Sequence, residues 1–225
     1  MQLYTMIYPF PGMKREKRYE AEFSVLRIVL RKDPIMANIL LVSGHPNLNH
    51  SLANKTILAK MEEFDFPFTL RRMDLLGWDF DIAREQEYVK QADVIVFQFP
   101  LYWYSFPAII KNWVEKVFAH GFAYGSTGNA LKGKHLLLSF TVGGGADHYR
   151  KDGQNRHPIE EFLYSFEQMA SLCQMKYEKP VYSFGMAYIP GVSSEEDRNQ
   201  VTDLSISHAE RLMDALRSLQ EKTAH

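Results

Sequence analysis

Three segments of the sequence contain residue types that could bind a small ligand. The first is the polar segment 45–54, the second is the aromatic run 102–104, and the third is the glycine run 143–145. Hydroxyl groups and the N–H groups of a helix N-terminus bind phosphate, aromatic rings bind flat molecules, and glycine lets the backbone approach a ligand closely. A planar ligand that carries a phosphate, such as flavin mononucleotide, would use all three segments.

Each segment also has a plainer interpretation. Ser51 is expected to cap a helix whether or not a phosphate binds. At least one of the rings of Tyr102, Trp103 and Tyr104 is expected to pack in the core or at a dimer interface, and Gly143 and Gly144 could form an ordinary turn. The first segment contains neither G-x-G-x-x-G nor G-x-x-x-x-G-K-[ST], so we expect neither a dinucleotide fingerprint nor a P-loop.

The elements that position these segments follow from the pattern of apolar residues. The β-branched, apolar run that begins at Asp93 predicts a strand buried on both faces, and Pro100 should end it. Helices are expected after Ser51 and after Pro107, where N-terminal signals precede residues at helical spacing. The other predicted strands are 39–42, 68–74, 134–141 and 177–184, and the other predicted helices are 85–92, one from residue 159 and one over 195–222, with a loop over 75–83.

Five strands that alternate with helices predict an α/β fold. Right-handed crossovers then give a doubly wound, five-stranded parallel sheet, and we expect the flavodoxin-like strand order 2-1-3-4-5. Ligands bind outside the carboxyl ends of such strands. The loops after strands one, three and four are residues 45–54, 100–107 and 141–157, which contain the three segments described above.

The first 35 residues differ from the rest of the chain. They contain seven Lys or Arg residues and four Asp or Glu residues, a balance of +3, and Met36 directly precedes the first predicted strand. We expect an N-terminal extension over residues 1–35 and one flavodoxin-like domain over residues 36–225. The extension is interpreted either as a non-native product of the choice of start site or as a basic arm that contacts a membrane or a partner.

Composition excludes several classes of function. The formal net charge of −1 gives no indication of nucleic-acid binding. The single cysteine, Cys173, excludes an intramolecular disulfide and fits a reducing, cytoplasmic location. No apolar run approaches the length of a membrane span, and no histidine falls in a zinc-binding pattern such as H-E-x-x-H, so no metal site is expected.

Several motifs together resemble the flavodoxin-like NAD(P)H quinone oxidoreductases. The resemblance spans roughly residues 37–190 and is strongest in the aromatic segment and the Trp113-Val114-Glu115-Lys116-Val117 run that follows it. The chain is most similar to the small bacterial members, which include the ancillary oxidoreductases of glutathione-gated potassium efflux. The motifs are His45-Pro46, Ser51-Leu52-Ala53-Asn54, Gln98-Phe99-Pro100-Leu101-Tyr102-Trp103-Tyr104, Gly121-Phe122-Ala123-Tyr124 and Thr141-Val142-Gly143-Gly144.

The resemblance implies a role for each matched position. His45, Ser51, Leu52, Ala53 and Asn54 would hold the phosphate and ribityl chain of the flavin. Leu101, Tyr102, Trp103 and Tyr104 would hold its ring, and Thr141, Val142, Gly143 and Gly144 would bind the polar edge of the ring. Tyr149 and His157 would act as catalytic residues beside the acceptor. The chain departs from the family at Val142, where a second threonine is common, and in the longer spacing from Tyr149 to His157.

The resemblance also implies an activity and partners. It implies ping-pong, two-electron hydride transfer from NADH or NADPH to a quinone-like acceptor, in a homodimer. FMN is favoured over FAD because the larger members that use FAD carry extra C-terminal length. Two alternatives stay open, namely a flavodoxin-type electron carrier, against which the charge of −1 argues, and a regulatory subunit of a potassium-efflux protein on the inner face of the cell membrane.

Overall fold

The structure is a computed structural model that describes residues 37–223. The extension expected over residues 1–35 lies outside these residues. Short 3-10 turns occupy Leu48–His50, Ala146–His148 and Ile159–Leu163. The strands and helices follow in chain order as β1 (Ile39–Ser43), α1 (Leu52–Glu63), β2 (Thr69–Arg72), α2 (Met73–Leu76), α3 (Ile82–Gln91), β3 (Val94–Pro100), α4 (Ala108–Val117), β4 (His135–Thr141), α5 (Tyr164–Leu172), β5 (Lys176–Tyr177), β6 (Val181–Ser183) and α6 (Glu195–Thr223).

The sheet confirms the predicted order. Its strands lie in the order β2-β1-β3-β4-β5, every pair is parallel, and β6 pairs with β4 beyond β5. The fifth predicted strand, 177–184, is therefore divided into β5 and β6. Tyr177 pairs with Leu136 and Val181 pairs with Ser139. Between these two pairs the edge has one residue more than β4 has. Pro180 lies in the extra segment, where its missing N–H costs no ladder hydrogen bond.

The two central strands are buried along their whole length because helices cover both faces of the sheet. Every residue of β3 and β4 is buried. On one face, Trp113 of α4 and Phe166 of α5 belong to an apolar cluster that contains side chains of both strands. On the other face, Ile57 of α1 and Leu212 of α6 belong to a second cluster that also contains side chains of both strands. The result is a helix–sheet–helix arrangement with a core on each side of the sheet.

The segment between β2 and β3 is more helical than predicted. Residues 75–83 were expected to form a loop, but α2 extends to Leu76 and α3 begins at Ile82. Asp81 explains the early start, because its carboxylate accepts a hydrogen bond from the N–H of Arg84 and so caps α3. Glu85 of α3 is buried, and its carboxylate accepts hydrogen bonds from Arg71 of β2 and the indole of Trp113. These contacts fix α3 against the sheet and α4.

No helix within residues 37–223 is long and apolar enough to cross a membrane.

A buried histidine joins α6 to the sheet. His208 is fully buried, and its two ring nitrogens lie 2.8 Å from the hydroxyl of Ser139 in β4 and 2.9 Å from the hydroxyl of Ser183 in β6. Arg211 also donates to the Ser183 hydroxyl, at 2.6 Å. Burial, assisted by the charge of Arg211, lowers the pKa of His208 to about 3. The imidazole is therefore neutral in the folded protein at neutral pH.

This histidine should make the protein sensitive to mild acid. In the unfolded chain His208 has an ordinary pKa near 6.5, so below that pH the unfolded state binds a proton that the folded state does not. We expect the free energy of unfolding to fall as the pH drops from about 6.5 toward 3, by up to about 1.4 kcal/mol per pH unit from this group. Chemical denaturation between pH 7.5 and 4.5 should show a shallower pH dependence for His208→Gln than for the wild type. The exposed-histidine control His50→Gln should follow the wild type, and identical slopes in all three proteins would contradict the assignment.

Candidate functional site

The loops that follow β1, β3 and β4 meet at one edge of the sheet, as the strand order predicted. Backbone hydrogen bonds join them directly. The N–H of Gly44 donates to the carbonyl of Gln98 at 2.8 Å, and the N–H of Leu101 donates to the carbonyl of Thr141 at 2.8 Å. Gly44 is required for this approach, because a Cβ there would lie 1.7 Å from the Ile110 side chain of α4.

A buried network of polar side chains holds the three loops in register. The Asn54 carbonyl oxygen accepts a hydrogen bond from the Gln98 amide at 2.7 Å, and the Asn54 amide donates to Thr141 at 3.2 Å and to Ser51 at 3.0 Å. Asn54, Gln98 and Thr141 are all buried. Because each of these groups is bonded within the protein, Asn54 and Thr141 position the surrounding backbone.

The N-terminus of α1 offers free hydrogen-bond donors. The Ser51 hydroxyl accepts from the N–H of Asn54 at 3.1 Å, which confirms the predicted N-cap. The N–H groups of Leu52 and Ala53 have no hydrogen-bond partner within residues 37–223. Such groups in the first turn of a helix, together with the helix dipole, favour an anion. These two N–H groups and the Ser51 hydroxyl proton are therefore candidate phosphate ligands.

His45 of the first loop orients Tyr102 of the aromatic run. The Nδ1 atom of His45 accepts from the N–H of Asn47 at 3.1 Å, and its Nε2 atom lies 3.1 Å from the Tyr102 hydroxyl. Burial lowers the pKa of His45, so the ring is neutral at neutral pH. With Nδ1 acting as an acceptor, the single ring proton is on Nε2 and is donated to the Tyr102 oxygen. The Tyr102 hydroxyl proton is then free to be donated to a ligand.

The aromatic run forms a tight turn with unusual backbone geometry. Tyr102 and Ser105 exchange two backbone hydrogen bonds, at 3.2 Å and 3.0 Å. Between them Trp103 and Tyr104 have φ angles of 49° and 62°, in the left-handed region that bulky residues rarely adopt. The turn leaves the Trp103 side chain 94% exposed. Strained backbone of this kind concentrates at ligand-binding sites.

The glycine loop presents backbone donors, whereas Val142 faces the core. Val142 is 1% exposed, its N–H donates to the carbonyl of Ser183 at 2.8 Å, and its carbonyl accepts from Met186 at 3.0 Å. The N–H groups of Gly143 and Gly144 have no partner in the part of the chain that the structure describes. The third strand-end loop is thus held by Val142 and leaves the two glycine N–H groups available to a ligand.

Tyr149 and His157, the two predicted catalytic residues, both contact the ring of Phe162. The ring centroids of Tyr149 and His157 are 6.0 Å and 5.9 Å from that of Phe162, both in edge-on geometry. Tyr104 stacks on the same ring at 4.8 Å. Burial raises the pKa of Tyr149, and the Nδ1 atom of His157 lies 2.6 Å from the carboxylate of Glu161. The structure therefore brings both residues next to the aromatic turn.

Three residues of the site were not among the predicted ones. They are Gln98, which bonds Asn54; Phe162, which contacts three predicted site residues; and Asn155, which accepts a hydrogen bond from Tyr104. Gln98 carried a signal in the sequence, because an amide inside an apolar strand must find a partner. Phe162 carried none, because its role depends on contacts made only in the folded chain.

The donors at this edge fit a phosphorylated, planar ligand. The free N–H groups of Leu52 and Ala53 and the hydroxyl of Tyr102 suit a phosphate, and the N–H groups of Gly143 and Gly144 suit the oxygen atoms at the edge of a ring. These are the groups that a flavin mononucleotide requires. No group of three or more His, Cys, Asp or Glu side chains within residues 37–223 could hold a metal ion.

Comparisons with known proteins identify relatives by sequence and by structure. The chain is 48% identical over 145 residues to the glutathione-regulated potassium-efflux system ancillary protein KefF of Enterobacter sp. (strain 638), covering 63% of this chain and 80% of that protein. The structure is similar to that of general stress protein 14 of Treponema denticola in complex with FMN, with a TM-score of 0.70, 31% identity and coverage of 80% of this chain and 99% of that chain. It is also similar to an NADPH-quinone reductase of P. pentosaceus, with a TM-score of 0.64, 27% identity and coverage of 77% and 96%.

A family model described as having a flavodoxin-like fold matches residues 37–205. That match covers the sheet, the three strand-end loops and the first part of α6. The chain therefore belongs to the flavodoxin-like family.

Proposed function

We propose that this chain is a flavin-dependent oxidoreductase that binds FMN and transfers electrons from NADPH or NADH to quinone-like acceptors, two at a time and in ping-pong order. One observation carries the proposal. Free N–H groups at a helix N-terminus, an exposed aromatic turn and free glycine N–H groups all lie at one edge of the sheet. The similarity to a structure that contains FMN and to a protein named as an NADPH-quinone reductase supports it.

The residues that would hold FMN are distributed over the three loops. Leu52, Ala53, Ser51 and Tyr102 would bind its phosphate, with His45 holding Tyr102 in place. The bound flavin would supply hydride transfer, which none of the protein's side chains provides. The turn at Trp103 and Tyr104 would support the ring, and its oxygen edge would face the N–H groups of Gly143 and Gly144. FMN is preferred to FAD because the free hydrogen-bond donors assigned to phosphate are enough for one phosphate group.

The chain's own contribution at the acceptor is a positioned proton. An acceptor oxygen gains negative charge as the acceptor is reduced, and a hydrogen-bond donor aimed at that oxygen lowers the barrier. The raised pKa of Tyr149 keeps its hydroxyl protonated at neutral pH, so it can act as that donor. The carboxylate of Glu161 holds Nδ1 of His157 and leaves Nε2 of that ring available to the acceptor.

A second role is favoured by one comparison. The 48% identity to KefF, an ancillary protein of a potassium-efflux system by name, suggests that this chain also binds such a transport protein. Affinity purification of the chain from a membrane extract of its own cells tests this role. Recovery of a potassium-efflux protein supports it, and recovery of the chain alone in a preparation that still reduces quinones argues against it.

The phosphate assignment can be tested at Tyr102. Replacing Tyr102 by Phe removes a hydroxyl proton that would be donated to a charged phosphate, a bond worth about 1.5 kcal/mol or more. We expect Tyr102→Phe to bind FMN about tenfold more weakly and riboflavin, which lacks the phosphate, with unchanged affinity. Quenching of flavin fluorescence measures both constants. Tyr164→Phe, which alters an exposed tyrosine on α5, is the matched control. Equal losses for FMN and riboflavin would show that Tyr102 does not contact the phosphate.

The acceptor assignment can be tested at Tyr149 and His157. The double replacement Tyr149→Phe with His157→Gln removes both proposed donors and changes none of the groups assigned to FMN. We expect acceptor reduction to slow by about a hundredfold or more, the range of general acid catalysis, with FMN affinity unchanged. Stopped-flow measurement of the reduced protein mixed with a quinone gives the rate. An unchanged rate would remove both residues from the reaction.

A further inference from the structure

The ring of Tyr149 contacts two phenylalanine rings that come from different parts of the chain. Its centroid lies 6.0 Å from that of Phe162, with the planes at 85°, and 5.3 Å from that of Phe184, with the planes at 43°. Phe162 belongs to the 3-10 turn Ile159–Leu163, whereas Phe184 directly follows β6. The orientation of the Tyr149 ring therefore depends on two segments that are separate in sequence.

Phe184 is held in turn by a residue of β6. The ring of Tyr182 meets that of Phe184 edge-on, at 85° and with 5.5 Å between the centroids. The hydroxyl of Tyr182 donates to the carboxylate of Glu160 at 3.2 Å, and Glu160 lies in the same 3-10 turn as Phe162. The contacts therefore form a closed cycle that begins and ends in one turn and includes both Tyr149 and Phe184.

Backbone hydrogen bonds fix the segment after β6 against the glycine loop. The N–H of Gly185 donates to the carbonyl of Gly144 at 2.9 Å, and the N–H of Met186 donates to the carbonyl of Val142 at 3.0 Å. Gly185 has a φ of 69°, a conformation that glycine adopts readily. Phe184 is therefore fixed relative to the loop that leads to Tyr149.

This packing matters because a proton donor must be aimed correctly. A donor stabilises developing charge only when it points at the atom that carries the charge, and a displacement of about 1 Å can cost about a hundredfold in rate. Aromatic pairs prefer defined distances and angles and stabilise a protein beyond the area that they bury. Phe162 and Phe184 therefore restrict the directions in which the Tyr149 hydroxyl can point.

We propose that Phe184 is a positioning residue for acceptor reduction: its ring, together with that of Phe162, holds Tyr149 so that the tyrosine hydroxyl is directed at the acceptor. The inference rests on the proposed function. Phe184 has no group that could donate a proton, so its effect on the rate must pass through Tyr149. Its removal should slow the acceptor reaction and spare both FMN binding and reduction by NADPH or NADH.

The first test uses the flavin-free protein and needs no activity. Phe184→Leu removes one ring of the pair, and Tyr149→Leu removes the other. We expect Phe184→Leu to lower the melting temperature by about 2–4 °C more in the wild type than in the Tyr149→Leu background. The control is Phe68→Leu, a half-buried phenylalanine that packs in the core on the other face of the sheet and should give the same shift in both backgrounds. Additive shifts for Phe184→Leu would overturn the link between the two rings.

The second test separates the two half-reactions of the FMN-loaded protein by stopped-flow measurement. We expect Phe184→Leu to slow acceptor reduction about tenfold, as misdirection of one hydrogen bond would, and Phe184→Tyr, which keeps the ring, to restore most of the rate. In a Tyr149→Phe background, which has no hydroxyl to direct, Phe184→Leu should change the rate less than about twofold. Phe184→Met replaces the leucine variant if the latter does not fold.

The outcomes distinguish this inference from the proposed function. If the wild type binds no FMN, the proposed function fails, and the melting-temperature comparison still decides whether Phe184 is joined to Tyr149. A rate loss confined to proteins that keep the Tyr149 hydroxyl, with FMN affinity unchanged, supports the inference. An unchanged rate in Phe184→Leu overturns it, and so does an equal loss with and without the hydroxyl, because the role of Phe184 would then be general to the structure.

Discussion

The site depends on one buried amide. Asn54 carries hydrogen bonds to Gln98 on β3, to Thr141 at the end of β4 and to Ser51 at the start of α1, and it is shielded from water. A buried polar group that loses its partner costs about 1–3 kcal/mol, and removing Asn54 would leave the Gln98 amide without its acceptor. The three loops therefore have one favourable arrangement, in which the first turn of α1 lies beside the ends of β3 and β4.

This constraint explains why the site presents backbone groups more than side chains. The polar atoms of Asn54, Thr141 and His45 are used inside the protein, and what they leave available are the N–H groups of Leu52, Ala53, Gly143 and Gly144. Donors fixed in this way need no reorganisation when a ligand binds. The exposed turn at Trp103 and the ring of Phe162, which stacks on Tyr104, then supply flat surfaces.

Much of the fold could be predicted from local pattern, and the remainder depends on contacts between distant residues. The apolar strand from Asp93 and the cap at Ser51 are local signals, and the strand order followed from them by the rules for parallel sheets. The division of the last strand, the left-handed turn at Trp103 and the inward side chain of Val142 were not predicted. No glycine marks that turn, and the pairing of Val142 with Ser183 joins residues far apart in sequence. The contacts of Asn155 are hidden from sequence for the same reason.

The central claim is that the buried Asn54 network shapes three loops into one flavin site. Its most direct test is calorimetric titration of the flavin-free chain with FMN, for the wild type and for Asn54→Ala, under conditions where circular dichroism shows both to be folded. We predict one FMN bound per wild-type chain and an affinity at least about tenfold lower in Asn54→Ala, because at least one buried partner loses its hydrogen bond. A wild type that binds no FMN, or a variant that binds it equally well, would contradict the account.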